Sequence, residues 1–416
     1  MTKFAANRRG PVGIVDIGTS KICAFIARAG ETAPQIAGIG HQLSRGVRSG
    51  VIVDIEAAMQ SIITAVHAAE QMAGERVKDI VVNLSGGFGA SRIVQTDIAL
   101  NGREVGDSDL KRVLNHGHHM KEPPGRVVIH SIPVGFAIDG SRPVRDPRGM
   151  FGQRLAVNMH AVTADASVLR NMANCIGRCH LDIAAFVASP YAAGLSALVE
   201  DETKHGVTLI DMGGGTTTIG VFFDDNLVFV DSIPVGGGHV TNDIVRGLST
   251  PLSHAERMKT LYGSCIASST DEREMIAVPQ IGEEEETQSN HVPKSLLVGI
   301  VAPRLEETFE LVRKRLDASG YDKIAGRRCV LTGGASQLAG VRELAALILD
   351  KQVRIGRPLR IEGLAAATGG PAFATSAGLV HFAFSERAEI LRPSRARADE
   401  SDGFMIRFGH WLRENL

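Results

Sequence analysis

The chain has 416 residues, with 45 Lys plus Arg against 46 Asp plus Glu and a formal net charge of −1 at pH 7. That length predicts two or more domains, each burying a core, and a charge so close to zero supplies no global field that would draw nucleic acid. The five cysteines (Cys23, Cys175, Cys179, Cys265, Cys329) form no CxxC pair and read as buried thiols of a reducing compartment. Met1 to Gly10 contains no apolar core of a signal peptide, and no apolar run is long enough to span a bilayer, so a cytoplasmic protein is expected.

In chain order, the first informative run is Ile14-Val15-Asp16-Ile17, which breaks into Gly18-Thr19-Ser20-Lys21 before an apolar stretch resumes at Ile22 to Ala27. This reads as strand, tight turn, strand, with an acid at the tip. Glycine lets the backbone approach a ligand closely, and consecutive N–H groups can nest phosphate oxygens. An aspartate beside such a nest can hold Mg²⁺ through water, and Lys21 adds a point charge. An ordinary hairpin with a satisfied acid is the alternative, and one short glycine motif does not decide between them.

The meander continues from Glu31 to Gly40. Ile55 to Ala73 has helical periodicity, with Ile55, Met59, Ile62, Ile63 and Val66 on one face and Gly74 as the stop. Ile80 to Leu84 is a compact strand. From about Ser85 to His160 the pattern changes to a strand at Ile93 to Ile98, a helix at Leu110 to His119, and strands at Val127 to Pro133, Gly135 to Ile138 and Leu155 to Thr163. A small α/β unit inserted into the first half is expected. His116, His118 and His119 lack a second ligand group at fixed spacing and read as an exposed helix end. Ala164 to Cys179 is a predicted helix, Ile183 to Val187 a strand, Ser189 to Gly194 a small-residue hinge and Glu200 to Gly206 a polar link.

The opening motif then recurs as Leu209-Ile210-Asp211-Met212-Gly213-Gly214-Gly215-Thr216-Thr217-Thr218, again followed by an apolar run. Two such turns predict a duplicated domain with a nucleotide between the halves. A hairpin through Val228 to Val235 follows. Gly236-Gly237-Gly238 opens the helix His239 to Leu248, either as a phosphate contact at a helix N-terminus or as a tight connection. Ser253 is expected to cap a helix over Ala255 to Leu261. There Glu256 and Lys259, three apart on one face, either pair at the surface or hold a ribose. Glu283 to Glu286 reads as a solvated acidic loop. Pro303 to Asp317 is a predicted amphipathic helix with Leu305, Phe309, Val312 and Leu316 inward, leaving Arg304, Arg313, Lys314 and Arg315 for the surface. Cys329 to Leu331 runs into Thr332-Gly333-Gly334-Ala335-Ser336, a third place of close backbone approach, ahead of a helix at Val341 to Leu349. Pro371 to Phe384 is a final helix rich in small residues.

The tail from Arg392 to Asp402 reads as a flexible linker. At helical spacing beyond it, Phe404, Met405, Phe408, Trp411, Leu412 and Leu416 fall on one side and Arg407, His410, Arg413 and Glu414 on the other, with Ile406 breaking the pattern. Such a helix lies in a membrane interface with its basic groups drawn to anionic lipid; docking on the domain or on a partner is the alternative.

The ordered set Asp16-Gly18-Thr19, Ser189 to Gly194, Asp211-Gly213-Gly214-Gly215-Thr216, Gly333-Gly334 and Ala372 to Leu379 resembles the actin and Hsp70 ATPase superfamily. Within it the chain resembles the FtsA family of bacterial cell-division proteins. The stretches that carry this are Asp16 to Lys21, Asp146 to His160 (DPRGMFGQRLAVNMH) and Ile233 to Ile244 (IPVGGGHVTNDI). The implied fold is α/β and actin-like, two related halves around a nucleotide cleft with an inserted 1C subdomain and a C-terminal amphipathic helix. Residues 1–84 and 162–191 would form subdomain 1A, 85–161 subdomain 1C, 192–241 and 316–390 subdomain 2A, 242–315 subdomain 2B, 391–402 the linker and 403–416 the membrane-targeting helix.

The resemblance implies ATP and Mg²⁺ as ligands. Gly18, Thr19, Ser20 and Lys21 would meet the β- and γ-phosphates, and Gly213, Gly214, Gly215, Thr216 and Thr217 the phosphates from the other half, with Gly237 beside them. Glu256 and Lys259 would hold the ribose, and Gly333, Gly334, Ala335 and Ser336 would flank the adenosine. Asp16 and Asp211 would lie near Mg²⁺, with Asp211 also the candidate for positioning water. The implied role is to tether FtsZ polymers to the cytoplasmic face of the inner membrane at the division site, to self-assemble, and to recruit later division proteins. The FtsZ C-terminal tail would bind subdomain 2B, to which Arg304 and Arg313 are assigned. Phe404, Met405, Arg407, Phe408, Trp411, Leu412 and Arg413 would meet anionic lipid, and no nucleic-acid partner is expected. One departure stands out: relatives carry Glu or Gln at the first hinge where this chain has Ser189, a poor general base, so slow hydrolysis is expected. The other function class is a soluble ATP-dependent small-molecule kinase or phosphatase of the same superfamily. It would want a spare carboxylate at the cleft and has little use for a lipid-seeking tail.

Overall fold

The computed structural model describes residues 10–88, 91–119, 122–282 and 290–385. The acidic loop at Glu283 to Glu286, the linker, and the tail residues Phe404, Met405, Arg407, Phe408, Trp411, Leu412 and Arg413 lie outside the described residues.

The first half grows from the hairpin of β1 (Val12–Ile17) and β2 (Lys21–Arg28), antiparallel with Asp16 opposite Cys23. β3 (Gln35–Leu43) extends it beyond β2. The short hairpin β4 (Val47–Arg48) and β5 (Val51–Ile52) leads into α1 (Ile55–Ala73), after which β6 (Asp79–Leu84) joins β1 in parallel. The Asp54 carboxylate accepts the Ala57 N–H to open α1, and Gly74, at φ 68°, closes it. Ala58, Ala65 and Ala69 form its buried face. A Cβ at Gly38 would sit 2.1 Å from the Ala69 carbonyl and one at Gly40 1.7 Å from that of Ala65, so β3 and α1 touch backbone to backbone. The expected face otherwise packs inward, with Ile62 and Val66 buried and Ile55 and Met59 against the core; Ile63 alone of the five turns to solvent.

The insert follows as β7 (Arg92–Ala99), α2 (Asp107–His118), β8 (Arg126–Ile138) and β9 (Arg154–Asp165), a wholly antiparallel sheet in the order β7-β9-β8. β8 is one strand rather than two, because the Pro133–Gly135 step is absorbed as a bulge. Then α3 (Ala166–Arg178) and β10 (Asp182–Ala188) complete the sheet β10-β6-β1-β2-β3, and α4 (Ser189–Ala197) crosses to the second half.

There α5 (Glu200–His205) replaces the expected polar link. β11 (Val207–Met212), β12 (Thr217–Phe223) and β13 (Asn226–Ile233) form the antiparallel meander. The peripheral layer holds α6 (Gly237–Leu248), α7 (Leu252–Tyr262), the hairpin of β14 (Met275–Val278) and β15 (Asn290–Pro293), and α8 (Lys294–Ser319). α9 (Asp322–Ala325), β16 (Arg328–Thr332), α10 (Val341–Leu349) and β17 (Gln352–Ile355) return the chain to the sheet, and α11 (Ala374–Phe384) ends the described part. The second sheet runs β13-β12-β11-β16-β17, so each half is an antiparallel meander with two parallel strands added beside its first strand. This is the expected actin-like α/β duplication.

Two helix starts differ from expectation. α7 begins after Pro251 with no side-chain cap, so Ser253 is inside it. α8 begins at Lys294 and runs through Pro303; the missing proline N–H costs one bond, but buried Leu297, Val301 and Leu305 hold the helix on one packed face. No described helix is long and apolar enough to cross a membrane. Among the described residues no group of three or more His, Cys, Asp and Glu is gathered as metal ligands.

The insert is bound to both halves. Covalently it belongs to the first. Against the second, Ser91 N–H donates to the Val230 carbonyl (3.1 Å) and Val230 N–H to Ser91 Oγ (2.9 Å). Arg145 Nε donates to Asp224 Oδ1 (2.7 Å) and Nη2 to Asp225 Oδ2 (3.0 Å) at the β12–β13 turn.

Candidate functional site

The two central hairpins meet tip to tip. In each, the glycine N–H after the acid closes the turn: Gly18 donates to the Lys21 carbonyl (3.0 Å) and Gly213 to that of Thr216 (2.9 Å). A Cβ at Gly214 would lie 1.8 Å from Ser20 Oγ and one at Gly215 2.4 Å from Thr19 Oγ1, so only glycine permits the tips to touch. Behind them opens a cavity of about 410 Å³. Asp16, Gly18, Thr19, Ser20 and Lys21 line it from the first half, and Asp211, Gly213, Gly214, Gly215, Thr216, Gly237, Glu256, Lys259, Gly333, Gly334 and Ala335 from the second.

Two expected residues do not line it. Thr217 is fully buried with its hydroxyl donating to the Val235 carbonyl (2.8 Å), and the buried Ser336 hydroxyl donates to the Gly333 carbonyl (2.8 Å). Both tie the wall together from behind. The triple glycine at the start of α6 makes a tight connection, and Gly237 and Gly238 also line the cavity. Gly237 N–H donates to the Gly213 carbonyl (2.9 Å) and Gly238 N–H to that of Gly214 (2.7 Å), so those amides brace the second turn.

Asp16 and Asp211 are the next-to-last residues of equivalent strands and both line the cavity, Asp16 buried and Asp211 half-buried. The Ser376 hydroxyl donates to Asp16 Oδ2 (2.6 Å) and the Thr375 hydroxyl to Asp211 Oδ2 (2.9 Å). Burial raises the Asp16 carboxyl above its ordinary range, against the pull of the Lys21 charge and the Ser376 bond. Burial likewise lifts Asp211 to about 6, with the neighbouring Asp16 adding to the rise. Lys21 is depressed by burial despite both aspartates. Its Nζ donates to the Ala372 carbonyl (2.5 Å) and sits 3.3 Å from the centre of the Phe373 ring. Burial thus disfavours the ionised form of both carboxylates, and the Lys21 charge opposes it. Gly333, at φ 86°, packs its backbone against Asp211, where a Cβ would come within 2.4 Å of Oδ1.

Glu256 and Lys259 pair with each other (2.7 Å) and also line the cavity, so the two readings of them are compatible. Thr241 Oγ1 donates to Glu256 Oε2 (2.6 Å), and Lys259 Nζ donates to the Gly237 carbonyl (3.2 Å), fixing both at the rim. Ser189 is buried and off the cavity wall; its hydroxyl shares a 2.7 Å bond with that of Ser85, which does line the wall. Asn83 backs them, donating to Ser189 Oγ (3.2 Å) and accepting the Ile17 N–H (2.6 Å).

Arg304 is half-buried and ion-paired, whereas Arg313 stays exposed. Arg304 grips Asp243 with two bonds (2.6 and 3.2 Å) and also bonds Glu307, while Arg313 donates to the Ile348 carbonyl (3.2 Å). Sequence reading missed Ser85, Thr375 and Ser376. The signal for the last two was a pair of hydroxyls at the start of a helix otherwise built, His381 aside, of small and apolar residues.

A family model described as Cell division protein FtsA matches residues 208–378, and one described as SHS2 domain inserted in FTSA matches residues 89–163. The chain is 44% identical to Cell division protein FtsA of Rhizobium meliloti (strain 1021), over 99% of this chain and 96% of that one. It is 35% identical to the Pseudomonas aeruginosa protein of that name, over 97% of each chain. With that of Escherichia coli (strain K12) the identity is 30%, over 99% of each. Among solved structures, the PilM-PilN type IV pilus biogenesis complex matches with a TM-score of 0.64 at 16% identity, covering 91% of this chain and 100% of that one. MreB5 of Spiroplasma citri bound to ADP matches with a TM-score of 0.52 at 14% identity, covering 90% and 96%. These last two establish likeness of fold alone. The near full-length identity to the three division proteins, together with the inserted-domain match, places this chain in the FtsA family of cell-division proteins.

Proposed function

We propose that the cleft binds ATP with Mg²⁺, and that the protein uses the nucleotide as an assembly ligand while tethering FtsZ polymers to the inner membrane. The observation that carries the nucleotide reading is the pair of equivalent hairpin tips, one from each half, facing across a glycine-lined cavity with an aspartate at the base of each. The residues fit the group. Gly18, Gly213, Gly214 and Gly215 line the cavity with backbone, Thr19, Ser20 and Thr216 add hydroxyls, and Lys21 adds a positive charge. Asp16 and Asp211 would face the magnesium ion through its water, since Mg²⁺ dehydrates reluctantly. Bound magnesium would neutralise phosphate charge. The chain's own part is to orient the triphosphate and to seat both carboxylates.

Ser189 supports slow turnover. Its hydroxyl is paired with Ser85 and lies behind the wall, with no carboxylate or histidine partner among the described residues to activate it. Membership of the FtsA family supports the division role, with FtsZ, further copies of itself and later division proteins as partners. The apolar face of the 403–416 sequence pattern supports attachment to anionic lipid. Arg304 is already paired with Asp243 and Glu307, so a contact with the FtsZ tail would compete with those carboxylates, whereas exposed Arg313 keeps guanidinium donors available.

The test is equilibrium binding of ATP to the purified full chain in Mg²⁺ and in EDTA, followed by flotation with anionic vesicles and FtsZ. Magnesium-dependent binding and vesicle-borne FtsZ are expected. Absence of nucleotide binding overturns the first part, and FtsZ left unfloated overturns the second.

A further inference from the structure

Thr375 and Ser376 are consecutive residues at the start of α11, and each donates its hydroxyl hydrogen to the aspartate of a different half. Asp211 reaches Thr375 from β11 and Asp16 reaches Ser376 from β1. The dipeptide itself is held rigidly. Ser196 Oγ on α4 donates to the Ala374 carbonyl (2.6 Å), and α11 lies so close to α4 that a Cβ on Gly378 would fall 1.6 Å from the Ala192 carbonyl. A hydroxyl that donates to one carboxylate oxygen fixes the plane of that carboxylate and leaves the other oxygen for another partner. Adjacent residues on one helix therefore aim both acids from a single rigid point.

We propose that Thr375 and Ser376 are positioning residues that register the two carboxylates for one divalent cation bound with the nucleotide. Cation recruitment then requires both halves to be seated on α11. A half that swings away takes its aspartate off its hydroxyl and out of register. This rests on the cleft being a magnesium–nucleotide site, as proposed above.

The experiment measures binding of a fluorescent ATP analogue to the full chain, in Mg²⁺ and in EDTA, for wild type, Thr375→Val, Ser376→Ala and the hydroxyl-keeping Thr375→Ser and Ser376→Thr. Wild type should gain affinity from magnesium. Thr375→Val and Ser376→Ala should hold their EDTA affinity within about twofold yet lose roughly tenfold of the magnesium-dependent gain, the worth of a bond to a charged group. Thr375→Ser and Ser376→Thr should restore it, which mere packing would not. The two loss variants act on different acids, so if one does not fold the other still decides. An unchanged magnesium gain in a folded loss variant overturns the positioning role. A wild type without any magnesium gain instead overturns the nucleotide-site reading beneath it.

Discussion

Glu202 is gripped from three directions. Arg354 donates from Nε to Oε1 (2.6 Å) and from Nη2 to Oε2, and Val199 N–H donates to Oε2 (3.0 Å). Burial alone would raise its carboxyl, but the Arg354 and Val199 bonds prevail and hold it below its ordinary 4.5. A carboxyl depressed on folding stabilises above its unfolded value and loses that stabilisation as pH falls through the folded one. Glu202→Gln should therefore cost about 1–3 kcal/mol at pH 7, with the gap to wild type closing below pH 4.5 in thermal melts run across pH. Asp16 and Asp211 were legible in sequence because an acid ending an apolar run before glycine is a local pattern. Thr375 and Ser376 were not, because their partners lie 164 and 360 positions away. The Thr217 assignment failed on strand parity: alternate side chains face opposite sides, and its hydroxyl went to the Val235 carbonyl.

The elements that join the halves, α4 and α11, cross where Gly378 meets Ala192. Neither helix can shift to admit a methyl group, because the obstacle is backbone. Gly378→Ala should lower stability by about 3 kcal/mol or more, read as a fall in melting temperature. A change within experimental error would mean that the crossing is loose. Most elements were legible from apolar periodicity and glycine stops, which are local and survive in the fold. The errors fell where a local signal was overruled from outside. Pro303 and the Pro133–Gly135 step read as breaks, yet packing of Leu297, Val301 and Leu305 carries α8 through the first, and pairing with β9 carries β8 through the second.

Across the whole molecule, the insert bridges a joint that the glycine-lined cleft also spans. Its ion pair reaches the two-residue turn Asp224–Asp225, where both residues take positive φ (52° and 62°). Such a turn suits the twist of a hairpin but favours Asn-Gly over two aspartates, so its residues answer to Arg145 as well as to backbone shape. Arg145→Ala should speed hydrogen exchange at Val230 and in that turn, while changing global stability by no more than about 1 kcal/mol. Exchange equal to wild type would show that the backbone contacts of the insert with β13 hold it without Arg145. Arg145 and both aspartates are about half exposed, so mobile ions reach them and weaken their attraction over about 8 Å at physiological strength. Osmotic stress that concentrates potassium in a cell would then soften this clasp and leave the covalent scaffold untouched, making the ease with which the jaws part a property of the surrounding electrolyte.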